Sequence, residues 1–132
     1  MPDETGGRGP ETGKWRPDAF DAFVDLLGSY DPEVAETALT LRERLREIHP
    51  EMTEKVYHGW RGLGFHHPDA GYVCAIFPRS KSVYLSFEHG VRLPDPDGRL
   101  IGSGQMVRSL EFSPSDEITG FEEYLRAAID LV

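Results

Sequence analysis

Asp18, Asp21 and Asp25 stand at i, i+3 and i+7, a spacing that sets three carboxylates along one side of a helix. Hard oxygen ligands on a rigid surface, few per ion, suit a metal that must be given up again, so the three are candidate ligands for Fe(II) or Fe(III). The same spacing describes the solvated side of any amphipathic helix, with Asp18 favouring the N-terminal dipole. Glu36, Glu43 and Glu47 repeat the pattern more weakly, because Arg42, Arg44 and Arg46 compete for them. A second metal chemistry is open to the histidines. His66 and His67 precede Pro68-Asp69, and His89 sits before Gly90; His66 and His89 join one imidazole and carboxylate site if their two turns share a sheet edge. Neighbouring residues on a strand point to opposite faces, so only one of His66 and His67 can enter it.

Tyr57, Trp60 and Tyr84, with the cations Lys81 and Arg108, offer a different use: aromatic rings and positive charges on one sheet face could hold a small ligand. Lys81 and Arg108 could equally pair with Glu88 or Glu111. Catalytic motifs are missing from the sequence. There is no Gly-x-Ser-x-Gly elbow, no phosphate-binding loop and no His-Glu-x-x-His, so the expectation is a protein that is not an enzyme. Asp95-x-Asp97-Gly98 begins like a calcium loop but lacks the closing glutamate, and reads as a tight turn. Cys74, the single cysteine, lies in an apolar strand and reads as a core residue.

The elements that must position these residues follow from periodicity. Tyr72 to Phe77 (YVCAIF) is a nearly continuous apolar run, too short for a helix and rich in strand formers, so it is the central strand. Val83, Leu85 and Phe87 alternate with Ser82, Tyr84 and Ser86, which is the pattern of a half-buried strand. Lys55 to Trp60 and Leu63 to His67 read as two short strands before them. Val91 to Leu93, then Leu100 and Ile101, then Met106 to Phe112 continue an antiparallel meander through Pro94-Asp95-Pro96-Asp97-Gly98 and Gly102-Ser103-Gly104.

Two helices precede the sheet. The first starts near Arg16-Pro17-Asp18 and ends at Gly28, with Phe20, Phe23, Val24 and Leu27 on its apolar face. The second is capped by Asp31, opens at Pro32 and runs to His49, burying Val34, Ala38, Leu41, Leu45 and Ile48. A last helix starts at Ser113-Pro114 or at Thr119, where Thr119 and Glu122 have capping-box spacing, and buries Phe121, Leu125, Ala128, Ile129 and Val132. The fold class is α+β: an antiparallel sheet of about five or six strands, with two N-terminal helices and one C-terminal helix packed on one side. The uncovered face, with Tyr84, Ser82 and Ser86, is then a ligand platform or a homodimer interface.

At 132 residues the chain is long enough for one core without disulfide or metal staples. Residues 1–14 carry four glycines, two prolines and no apolar residue after Met1, and read as a disordered tail before a single domain over 15–132. The net charge of -9 is uneven: residues 1–53 contribute -6, residues 54–112 +1 and residues 113–132 -4. An acidic chain with a near-neutral sheet lacks the basic footprint of a nucleic-acid binder. No apolar run approaches the roughly 20 residues of a membrane span, and the N-terminus does not look like a signal peptide. The expected location is the cytoplasm, with no membrane partner.

The run Lys81-x-Val83-x-Leu85-x-Phe87-x-x-Gly90-x-x-Leu93-x-Asp95-Pro96-x-Gly98-x-Leu100-x-Gly102-x-Gly104-x-x-x-Arg108 resembles the YdhG-like family of small bacterial domains. Leu41-Arg42, Pro50-Glu51 and Tyr57-His58-Gly59-Trp60 are similar to that family's helix end and first strand, so the resemblance spans about Pro32 to Val132. It implies a compact α+β domain. It also implies, for part of the family, frataxin-like iron chaperones that hand iron to iron-sulfur assembly proteins, with an acidic helical surface as the contact. The long N-terminal extension and Trp60-Arg61-Gly62, where the family has a proline soon after the first strand, depart from its pattern.

Overall fold

The computed structural model describes residues 17–131, with side chains from Ala19 onward. The expected tail over 1–14 and the side chains of Asp18 and Val132 lie outside the described residues. Helix α1 spans Pro17–Leu27 and α2 spans Pro32–Ile48. Five strands follow: β1 (Thr53–Tyr57), β2 (Gly62–His67), β3 (Gly71–Pro78), β4 (Val83–Phe87) and β5 (Arg108–Phe112). A 3-10 turn, η1 (Gly90–Arg92), separates β4 from β5, and α3 (Glu122–Asp130) closes the chain.

The sheet is an antiparallel meander in which each strand pairs with its neighbours in sequence, in the order β1-β2-β3-β4-β5. Opposed residues share a face, so the register sorts the side chains. Val56, Leu63, Ile76, Leu85 and Leu110 lie across one face, as do Phe65, Cys74 and Phe87. These residues are buried against Phe23 and Leu27 of α1, Leu41 and Leu45 of α2, and Phe121 and Leu125 of α3, with Val56 at the margin. All three helices therefore cover one side, and the layers are helix and sheet.

Local sequence explains most boundaries. Proline opens α1 and α2, where its missing N–H costs nothing, and Pro50 prevents α2 from continuing past His49. Asp31 does not cap α2 through its side chain; its carboxylate faces the Lys81 ammonium at 3.3 Å instead. The buried side of α1 is Ala19, Phe23, Leu26 and Leu27, while Phe20 and Val24, expected inside, are 37% and 42% exposed. The reason is a rotation of the apolar stripe: a helix with apolar residues at seven of its eleven positions can turn either edge inward, and packing selects the one that seats Phe23 and Leu26. Ile48, at the end of α2, is likewise exposed.

Three other expectations are corrected. Val91 and Arg92 belong to the 3-10 turn, and Leu100 and Ile101 form no strand, although Ile101 makes an isolated bridge to Ser109. The last strand begins at Arg108, two residues after Met106. Helix α3 begins at Glu122 with Phe121 at the cap, later than either predicted start, because Gly120 turns the chain at φ +81°. The Glu122 carboxylate accepts from the Gly120 N–H at 3.1 Å, so the acidic half of the anticipated capping box bonds one residue inside Thr119.

Candidate functional site

The face away from the helices carries three rows set by the register. Tyr57, Phe77, Tyr84 and Glu111 form one, Lys55, Gly64, Ala75, Ser86 and Ser109 the next, and Thr53 and His66 begin the third. Past the exposed Lys55, the middle row is small and buried even with no helix above it: Ala75 is fully covered, and the Ser86 and Ser109 hydroxyls meet at 2.7 Å. The glycines make room for rings. A Cβ on Gly64 would lie 2.6 Å from Tyr57 Cε2, and one on Gly62 would run into the Phe77 ring. Aromatic side chains therefore lie down across the sheet where the backbone offers no side chain to hold them off.

At the β1–β2 end this produces a cluster of four rings. Trp60, in the turn after β1, stacks on Tyr57 with centroids 4.6 Å apart and planes 21° from parallel. Tyr72 meets the Tyr57 ring edge-on at 6.3 Å and lies 6.2 Å from Trp60. His66 sits 5.4 Å from Tyr72, with its Nε2 2.8 Å from the Tyr57 hydroxyl. A β-bulge brings the last two together. The register shifts between Phe65 and His66, so His66 lies opposite Tyr72 and Val73 is left unopposed. Arg61, at φ +58°, aims the turn and ties it down, donating to the Tyr30 and Ser29 hydroxyls.

Electrostatics fix the protonation states. Burial pushes the Tyr57 phenol above its ordinary value, and burial together with nearby Lys55 pulls His66 below the usual imidazole range. A protonated phenol donating to a neutral imidazole satisfies both. The Lys55 ammonium lies 5.1 Å from the Tyr57 ring centre. Trp60 is the most exposed large apolar side chain described, at 58%.

The other candidates disperse. Tyr84 lies under the Arg79 guanidinium at 4.6 Å, three strands from Tyr57 and so about 14 Å along the sheet. Lys81 turns to Asp31 on the helical side, where it lines a polar groove of about 670 Å³ with Glu33, Glu36, Arg44 and Asp116. Arg108 donates to the Gly104 and Val107 carbonyls at 2.7 and 2.8 Å. Neither cation makes the expected pairing with Glu88 or Glu111, and neither reaches the aromatic cluster: Glu111 accepts from Ser82 at 2.8 Å, and the Arg108 side chain folds back on its own loop.

Asp21 and Asp25 are exposed on α1. His66 belongs to the aromatic cluster, and His89 caps η1. Among the described residues no three carboxylate, imidazole or thiol groups gather where they could hold one metal ion. His67 faces away from His66, as alternation requires; its Nδ1 accepts from the Asp69 and Ala70 N–H groups and its Nε2 lies 3.4 Å from Glu51. Asp95 does form the tight turn, accepting from the Arg99 and Leu100 N–H groups, and from the Tyr124 hydroxyl at 2.6 Å. Cys74 is fully buried, and burial pushes its thiol well above the ordinary range.

Tyr72 and Phe77 are the residues of this face that sequence reasoning missed, because both lie in a run that reads as buried on both sides. Comparison of the chain with protein-family models, with curated proteins and with solved structures finds no match.

Proposed function

We propose that this domain is a binding module for a small flat ligand, held on the outer face of the sheet by Trp60 and the rings behind it. The observation that carries this reading is the stack of an exposed indole on a half-buried tyrosine whose hydroxyl is already bonded to His66. An exposed aromatic with one face backed and the other open is preorganised for stacking, and preorganisation removes much of the ordering cost of binding. The Trp60 ring offers its open face, and the His66 imidazole and Lys55 ammonium supply polarity at the margin. The reading is of binding without a catalytic step.

The test is a fluorescence titration of a Trp15→Phe variant, in which Trp60 is the single indole, with adenine, riboflavin and benzoate as planar probes. Saturable quenching by a planar probe is the expected outcome, together with a weaker affinity for the same probe in Trp60→Ala, read by calorimetry on a variant that retains the fold. Stacking of this kind contributes about 1–3 kcal/mol per ring, so Trp60→Ala should weaken binding by roughly 5- to 150-fold. Quenching that does not saturate, or binding undiminished in Trp60→Ala, would sink the proposal.

A further inference from the structure

A cleft of about 160 Å³ opens where the start of β3, the η1 turn and the last turn of α3 meet. Its wall is apolar, from Val73, Ala128 and Leu131; the remainder is dominated by Tyr72, His89 and Arg92. The side chains of these three make no hydrogen bond or ion pair with any described residue, and each can donate one. Among the cations with side-chain partners, Lys81 is engaged with Asp31, Arg42 with Glu54, Arg99 with the Thr119 carbonyl and Arg108 with its own loop. Arg92 and His89 are exposed and Tyr72 is half-buried, so a guanidinium, an imidazole and a phenol line one cleft beside an apolar wall, a donor set that suits an anionic acceptor.

The geometry points to this cleft as a binding site for a small organic monocarboxylate, with its head at Arg92, His89 and Tyr72 and its apolar tail against Val73, Ala128 and Leu131. Size agrees with that class: an apolar cavity of about 150 Å³ accepts benzene, so a head and a short chain fill the cleft and a nucleotide does not. The scaffold is fixed. Arg92 N–H donates to the His89 carbonyl at 3.0 Å and Val91 N–H to the Met106 carbonyl at 2.9 Å. Gly90 also packs so closely on the Arg108 backbone that no side chain would fit there. Burial, with Cys74 and Glu88 nearby, holds the Tyr72 phenol protonated and able to donate. The site shares Tyr72 with the aromatic cluster but does not use Trp60, so it stands apart from the proposal made above.

The experiment is a nitrogen-15 NMR titration of the whole chain with butyrate, and separately with inorganic phosphate. Butyrate should give saturable shifts confined to the amides around Tyr72, His89, Arg92 and Leu131. Arg92→Ala, at an exposed position, should weaken it about tenfold or more, the loss of one charge-assisted contact; Tyr72→Phe should weaken it less, and Lys81→Ala, engaged with Asp31 away from the cleft, should leave it unchanged. Shifts that do not saturate, shifts centred elsewhere, or an affinity unmoved in Arg92→Ala would overturn the site. Phosphate binding as tightly as butyrate would overturn the assignment to a carboxylate with an apolar tail.

Discussion

Arg42 and Glu54 form a buried bidentate ion pair that is costly to break. The Arg42 Nε donates to one Glu54 oxygen at 2.8 Å and its terminal nitrogen to the other at 2.7 Å, and the side chains are 4% and 0% exposed. Glu54 lies on the helix-facing side of β1, and the guanidinium also sits 4.6 Å from the Phe20 ring. Cutting one partner from a buried bidentate pair strips the other, still desolvated, charge of its two short charge-assisted bonds, at about 3–5 kcal/mol. Glu54→Ala should therefore lower stability by about that amount in denaturant unfolding, while Arg42→Met with Glu54→Leu should cost far less. Equal losses in the single and double variants would show that the pair's charge is not what matters. None of this was legible in the sequence, where Arg42 reads as one of three arginines neutralising an acidic helix and Glu54 as the residue before a strand. A pair twelve residues apart is written in the approach of α2 to β1, not in local spacing.

The elements were more legible than their edges. Alternation over Ser82–Phe87 gave β4 and told which side each residue faces, because a two-residue period survives any tertiary context that buries one face. The apolar run at Tyr72 gave β3 but not its faces, since a run without alternation cannot announce a bulge. That bulge is what puts Tyr72 beside His66 and completes the aromatic cluster. Trp60, Tyr57 and Tyr84 were visible as aromatics of the open face, while Lys81 lies in the turn between β3 and β4 and Arg108, the first residue of β5, stands opposite Phe87 in the helix-facing row. The glycines of β2 belong to the same scale. Gly64→Ala would put a methyl group 2.6 Å from Tyr57 Cε2 and 3.3 Å from Tyr72 Cε1, lifting the Tyr57 ring off the sheet and away from His66. The expected result is a loss of about 1–3 kcal/mol together with a changed near-ultraviolet circular dichroism of the aromatic groups. An unaltered aromatic spectrum would mean that the ring does not rest on Gly64.

The whole molecule should feel acid through the same cluster. His66 titrates below its ordinary value in the folded protein because burial, then Lys55, disfavour the imidazolium. Below the unfolded value of about 6.5 the unfolded chain binds a proton that the folded chain does not, so stability falls as the pH drops from there until the folded imidazole is itself protonated. Glu51 acts lower down. Its carboxyl sits below the usual range despite a partial burial that works the other way, since His49 at 2.9 Å and His67 favour the charged form. That contribution is present above the ordinary carboxylate value and is lost as the pH falls through the folded one. Thermal unfolding should thus show a decline beginning near pH 6.5 that a His66→Phe variant lacks, and a second near pH 4 that it keeps. A His66→Phe profile identical to that of the unaltered chain would remove His66 from this account.

The sheet order repeats the chain order, and this bears on how the molecule comes into being. Every ladder joins two strands that follow one another, from β1 against β2 to β4 against β5. No strand must thread between two already paired, so loop closure stays short through the first four strands, and only β4 and β5 are joined by a long connection, residues 88–107. As the chain emerges, α1 and α2 come first, and each new hairpin can settle on what precedes it. The last core residues to arrive are Ile118, Phe121, Tyr124 and Leu125, and they finish an apolar layer whose sheet is by then already laid.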